Sequence, residues 1–131
     1  MNRLAREKSP YLLRLAEAFS PDVGGHPRMA TEFLRGLDFA LGPLREVVVV
    51  GKWEALDTLK LLMALRGIYL PNTVALFKPV DKPGILRILE RVAPFTKDLG
   101  VSGGRAAAYV CSSGTCRRPI SSVAELLDSL K

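Results

Sequence analysis

The chain has 131 residues, 48% of them hydrophobic and 24% charged, which suits one compact domain and excludes a disordered polar segment. Lys and Arg outnumber Asp and Glu by 19 to 13, a formal charge of +6. One histidine and two cysteines sharply limit any metal or acid–base centre that a single subunit can build.

The first eight residues are polar and the apolar stretch at 11–13 is only three residues long, so no signal-peptide core is expected. The longest apolar run, at 47–50, is strand-sized and far short of the ~18 residues of a membrane span. These features predict a cytoplasmic protein with no membrane partner. There, two cysteines are expected as thiols or a transient redox pair rather than a structural bridge.

Ser9-Pro10 reads as a helix cap followed by proline at the first helical position, where its missing N–H costs nothing. Leu12, Leu15, Ala16 and Phe19 then recur at helical spacing until the turn residues from Ser20-Pro21 to Gly25. A second helix is expected over 27–41, with Met29, Phe33, Leu37 and Ala40 in one stripe and Gly42-Pro43 closing it. From Arg45 the pattern changes. Four consecutive valines closed by Gly51 predict a strand buried on both faces. A helix over 54–66, a strand over 73–78, a helix over 83–92, a loop over 94–104 with room for a brief strand, a strand over 106–110 and a helix over 122–130 follow.

Strands alternating with helices indicate βαβ units. The expected fold is α/β: a small parallel sheet of three to four strands with flanking helices, preceded by two N-terminal helices. One domain is expected overall, with a helical segment at 1–44 and a parallel core at 45–131. The helical segment either packs on the core or mediates assembly.

In open parallel sheets, ligands bind beyond the carboxyl ends of the strands. Gly51-Lys52, Lys78 and Cys111 mark three such ends, which a parallel arrangement gathers on one edge. With Ser113, Gly114 and Arg117 they form a candidate site for a small anion, and Arg118 adds to the positive charge of that edge. The single glycine of Val50-Gly51-Lys52 is not a dinucleotide fingerprint.

Cys111-Ser112-Ser113-Gly114-Thr115-Cys116-Arg117 allows two readings. As C-x4-C it offers a redox pair, Cys111 and Cys116, looser than the thioredoxin-type spacing. Zinc would need two further ligands, which His26 alone cannot supply. As C-x5-R it has the layout in which backbone amides and an arginine cradle a phosphate beneath a thiolate. In this respect Tyr109-Val110-Cys111 through Arg117-Arg118-Pro119 resembles the active loop of low-molecular-weight tyrosine phosphatases, implying Cys111 as nucleophile and Arg117 as clamp. That family carries the loop at its N-terminus, has a hydroxyl residue where Arg118 stands, and places its acid aspartate beside a proline downstream. Here only Asp128 follows, within a predicted helix.

A broader resemblance covers most of the chain. Asn2-Arg3-Leu4-Ala5 with Glu7-Lys8-Ser9-Pro10-Tyr11-Leu12-Leu13 resembles the opening of the spermatogenesis-associated, thioredoxin-domain-containing proteins. Leu37 to Pro43, Arg45 to Gly51, Leu70-Pro71-Asn72-Thr73-Val74, Ala108-Tyr109-Val110-Cys111, Cys116 and Pro119 resemble that family's extreme C-terminal region. The resemblance implies a terminal α/β segment, with the thioredoxin-like domain and the helical toroid of full-length members absent from this chain. Neither thioredoxin chemistry nor sugar isomerisation therefore carries over, and no cofactor is expected. What transfers is the paired-cysteine strand end. A terminal domain without its neighbour also exposes an apolar face, which implies a homodimer through the N-terminal helices or that face.

The resulting expectation is a non-catalytic binding or assembly module, with a Cys111-dependent phosphatase-like or thiol-redox enzyme as the alternative. Nucleic acid is not the expected partner, since Arg3, Arg28, Lys60, Arg87 and Lys131 share no stretch and no aromatic residues interleave with basic ones in an RNA-binding pattern.

Overall fold

A computed structural model describes the backbone of residues 3–131 and the side chains of residues 10, 11 and 13–131. The expected cap side chain of Ser9, the side chain of the stripe residue Leu12 and the side chains of the opening motif at positions 2–9 therefore lie outside the described residues. Contacts group the chain into two compact units, one ending at Leu44 and the other beginning at Arg45.

The first unit is a pair of helices, α1 (Arg3–Gly25) and α2 (Thr31–Leu41). α1 neither starts at Ser9-Pro10 nor stops at Ser20-Pro21, because both Pro10 and Pro21 lie inside it. A proline removes one bond from the helical ladder, and here the helix propagates past each until Gly24-Gly25. α2 begins four residues later than expected. Residues 27–30 form a turn instead, closed by Ala30 N–H donating to Pro27 O at 3.2 Å. The Phe19 and Phe33 rings join the two helices, with centroids 5.3 Å apart.

The second unit is α/β. Its order is β1 (Arg45–Gly51), α3 (Leu56–Arg66), β2 (Thr73–Pro79), α4 (Pro83–Val92), a 3-10 turn η1 (Pro94–Thr96), β3 (Ala107–Ser112), β4 (Thr115–Cys116) and α5 (Val123–Ser129). The sheet order is β2-β1-β3-β4. Val47 to Val50 are fully buried in the central strand, which explains the unbroken valine run. Val47 and Val49 face one side with Leu61, Leu65, Ala108, Val110, Leu126 and Leu130. Val48, Val50, Ala107 and Cys111 alternate to the other side and are equally inaccessible. Arg45 donates from Nη1 to Leu130 O at 2.8 Å, satisfying a carbonyl at the end of α5.

The sheet is mixed rather than parallel. β1 pairs parallel with β2, but β3 runs antiparallel to β1, with Val47 opposite Val110 and Val49 opposite Ala108. The cause lies in the return from α4. Lys78, at the carboxyl end of β2, donates from Nζ to Thr96 O (2.6 Å), Leu99 O (3.0 Å) and Lys97 O (3.1 Å). The segment after α4 is thus fixed at that edge, and the chain enters β3 from there. β4 is a two-residue strand absent from the sequence expectation, formed because Ser113 (φ 53°) and Gly114 (φ 83°) close a tight hairpin.

Candidate functional site

The reversed β3 separates the residues that a parallel sheet would have gathered. Gly51 and Lys52 lie at the carboxyl end of β1, whereas Cys111 pairs with Glu46 near its amino end. Five residue steps of strand put roughly 16 Å between these levels. Cys111, Ser113, Gly114 and Arg117 therefore belong to the opposite end of the sheet from Gly51, Lys52 and Lys78, and the seven residues do not form one anion site.

At the hairpin end, Cys111 and Cys116 are joined in a disulfide (S–S 2.08 Å, Cα atoms 3.9 Å apart). Arg117 N–H donates to Val110 O at 2.9 Å, so the two cysteines occupy a non-hydrogen-bonded antiparallel pair, where facing side chains come closest. The expected thiols are thus a bonded pair, with Cys111 fully buried. A thiolate at Cys111 would require opening that bond. The C-x5-R segment folds as a strand, a two-residue turn and a strand, so its amides pair across the hairpin instead of converging on an anion. Arg117 is exposed, and Arg118 is paired with Glu125 at 3.0 Å.

At the carboxyl edge, Lys78 does not face outward. Its side chain is buried, and besides three carbonyls it contacts Glu90 Oε1 at 3.3 Å. It is a clamp on the protein's own backbone. Lys52 remains exposed in the turn after β1. That turn is tied to the next one, because Trp53 N–H donates to Asp81 Oδ1 at 2.8 Å and Val80 N–H to Gly51 O at 3.0 Å. Gly51 is required by packing: a Cβ there would overlap Thr58 Oγ1 and approach Ala106 Cβ to 2.9 Å. Thr58 Oγ1 is itself buried without a hydrogen-bond partner.

A cleft of about 740 Å³ opens beside this edge, between the first turns of α3 and α5. Leu56, Leu61 and Val123 supply apolar lining, and Asp57, Lys60, Arg105, Ser121, Ser122 and Glu125 supply polar groups. Asp57 spans the seam. Its Oδ2 accepts from Ala106 N–H at 2.7 Å and its Oδ1 from Thr58 N–H at 2.9 Å. The Ala106 amide foremost, then those of Thr58 and Asp57 itself and the Arg105 charge, hold the carboxyl below its ordinary 3.8 against the opposing effect of burial. Both acids are thus engaged, Asp57 by amides and Glu125 by Arg118, while Lys60 and Arg105 are exposed cations. The cleft can hold a small polar or anionic group. It presents no nucleophile with an adjacent base, and among the described residues no cluster of three or more His, Cys, Asp or Glu is placed to bind a metal.

Sequence reading missed Asp57, Arg105 and the two serines. The available signal was an acid in the first turn of the predicted helix at 54–66 and Ser122 three residues before Glu125, the spacing of a capping box. In the structure Ser122 makes no side-chain cap bond, which leaves its hydroxyl on the cleft.

No protein-family profile matches the chain. No solved structure matches it either. Among curated proteins, spermatogenesis-associated protein 20 of Homo sapiens is 31% identical over 112 residues, covering 86% of this chain. The Rattus norvegicus and Mus musculus proteins of the same name align to the same extent. The chain spans only 14% of the length of these relatives. It is therefore a partial member of the spermatogenesis-associated protein 20 family, matching one region of those proteins and not their whole length.

Proposed function

We propose that this chain is a non-catalytic assembly module that pairs with a second copy of itself through its N-terminal helices. The observation that carries this reading is the state of α2, an eleven-residue helix with no buried residue. Two helices alone cannot enclose a core, and here Tyr11, Leu15, Phe19, Met29 and Leu41 are all exposed. Pairing two such hairpins makes a four-helix arrangement that buries these side chains, with the two-fold symmetry usual for homodimers.

Charge supports a second copy as the occupant. Residues 3–44 carry six basic residues (Arg3, Arg6, Lys8, Arg14, Arg28, Arg35) and five carboxylates (Glu7, Glu17, Asp22, Glu32, Asp38), so each copy brings a net charge of only +1 against the +6 of the whole chain. The absence of a nucleophile–base pair in the cleft favours assembly over catalysis as the role.

Size-exclusion chromatography with light scattering tests the reading. At micromolar concentration the chain is expected to elute as a dimer, and Tyr11→Ser with Leu15→Ser as a monomer of unchanged circular dichroism. A wild-type chain that is only monomeric overturns it.

A further inference from the structure

β2 is the end strand of its sheet, with β1 on one side and no strand on the other. Asn72 O accepts from Arg45 N–H, and Val80 N–H donates to Gly51 O, so the even-numbered residues between them bond to β1. The N–H and C=O groups of Thr73, Ala75 and Phe77 therefore point away from the sheet. The stretch Thr73-Val74-Ala75-Leu76-Phe77 carries no charge and no proline, and Ala75 is exposed. Edge strands are ordinarily blunted by charges, prolines or bulges, and this one is not. The opposite edge of the sheet is closed: Val110 O accepts from Arg117 N–H, and Ala108 exchanges both its backbone bonds with Ile120.

The helix above this edge is apolar on the same side. α4 packs on the face of β2 that carries Lys78, with Leu86 and Leu89 half-buried and Glu90 reaching Lys78. From α4 the chain runs toward β3: Lys78 holds Thr96, Lys97 and Leu99, and Gly100 O accepts from the Tyr109 hydroxyl of β3 at 2.7 Å. Glu90 thus marks the flank of α4 that is turned inward over the sheet. At about 100° per residue, Ile85, Ile88 and Val92 lie on the other flank, beside the free edge of β2. They are 42%, 56% and 76% exposed. Arg87 and Arg91 follow Glu90 around the helix toward solvent, away from that edge.

We propose that the free edge of β2 pairs antiparallel with β2 of a second copy, about a two-fold axis through Ala75, joining two sheets into one. In this register Ala75 faces the partner's Ala75, Thr73 the partner's Phe77 and Val74 the partner's Leu76. Every outward N–H and C=O of the stretch is then bonded, and Pro79, which lacks an N–H, falls outside the pairing. No charge meets a like charge. The axis is perpendicular to the sheet, so both α4 helices lie on one face with their aliphatic flanks turned toward each other. That selects a second copy over a lone extended segment, which would bond the edge and leave the ridge of Ile85, Ile88 and Val92 in water. Because the far edge is closed, pairing ends at two sheets and does not continue as a fibre. The contact lies in the α/β unit and is separate from the helix pairing above. One short strand and one helix flank make an interface of the small, reversible class, which forms above the micromolar range.

Sedimentation equilibrium of the full chain tests this, in wild type and in Tyr11→Ser/Leu15→Ser, which lacks the helix pairing. Between about 5 and about 500 µM the mass of the double variant is expected to rise from one chain toward two, and that of wild type from two toward four. Ala75→Pro removes an outward N–H without touching the β1 ladder and is expected to weaken this step more than about tenfold. Val92→Lys sets like charges across the two-fold and is expected to weaken it as much. Both positions are exposed, and circular dichroism verifies that the variants fold. A double variant that stays monomeric at about 500 µM overturns the proposal and leaves an extended segment of a different chain as the fitting occupant of the edge. Association unchanged by Ala75→Pro overturns the assignment to β2, and association unchanged by Val92→Lys overturns the placing of α4 beside its copy. Failure of the helix pairing is read separately, as a wild type that is monomeric at about 5 µM.

Discussion

Replacing Lys78 by methionine removes an ammonium group while keeping a side chain of similar reach in a buried slot. Three carbonyls, of Thr96, Lys97 and Leu99, lose their donor, and Glu90, whose side chain is 27% exposed, loses its cation. Hydrogen bonds to a charged group contribute roughly 1.5–3 kcal/mol each, but bonds sharing one donor do not add, and methionine regains some apolar contact. Removing one partner of a buried, hydrogen-bonded charge costs about 3–5 kcal/mol, and we expect Lys78→Met in this range. For a unit of this size that lowers Tm by more than about 10 °C. Glu90→Gln keeps the three carbonyl bonds and removes only a partly solvated ion pair, so about 1 kcal/mol is expected. Thermal and urea melts of both variants check the ratio. Amide exchange should accelerate first between Ala93 and Ala106. A Lys78→Met protein melting within about 3 °C of wild type, or a Glu90→Gln cost equal to that of Lys78→Met, refutes the assignment of Lys78 as a backbone clamp.

Thr58→Val keeps the shape of a buried side chain and removes a hydroxyl without a partner, so it should stabilise by about 1 kcal/mol, read from urea melts. Gly51→Ala should cost about 1–3 kcal/mol through overlap with Thr58 and Ala106, with part of the loss recovered in Gly51→Ala/Thr58→Ala. Reducing Cys111–Cys116 opens a loop with sequence separation 5 and should cost about 2 kcal/mol, read as the Tm difference with and without a dithiol. The Asp57 carboxyl has a folded pKa below its ordinary value, so the stability it contributes is complete above about pH 4 and is lost as pH falls through the folded value. Asp57→Asn should therefore be the less stable protein at pH 7, and its deficit should shrink in melts taken progressively below pH 4.

Local patterns carried the elements whose cause is local. The valine run announced β1, and Pro83 set the start of α4 at the residue where the helix begins. Where prolines mislead, they do so because a proline at a helix start and one inside a helix look alike in a single sequence; α1 runs through both of its own. Strand direction is a non-local property. The sequence at 106–112 is compatible with either polarity, since alternate burial is the same read forwards or backwards. Lys78 illustrates a related limit. A lysine ending a strand ordinarily reaches solvent, and only the carbonyls of a segment some twenty residues later make burial favourable. The places of Gly51 and Lys52 at the end of β1 were legible from the valine run alone, whereas the place of Cys111 depended on which edge β3 enters.

That entry point is set from two sides. Lys78 holds the chain at Thr96, Lys97 and Leu99, and Asp57 receives the Ala106 amide one residue before β3 begins. Both anchors lie toward the carboxyl ends of β1 and β2, one on β2 itself and the other in the first turn of α3. With its start pinned there, β3 can extend only toward the amino end of β1, and its own far end must carry Cys111 and the hairpin away from Lys52. The same two anchors use up a lysine and an aspartate that would otherwise have been the most reactive-looking charges at this edge. Lys60 and Arg105 remain beside the cleft, with Ser121 and Ser122 opposite, a set able to hold an anion. Lys78 and Asp57 are thus spent on fixing where β3 begins and which way it runs.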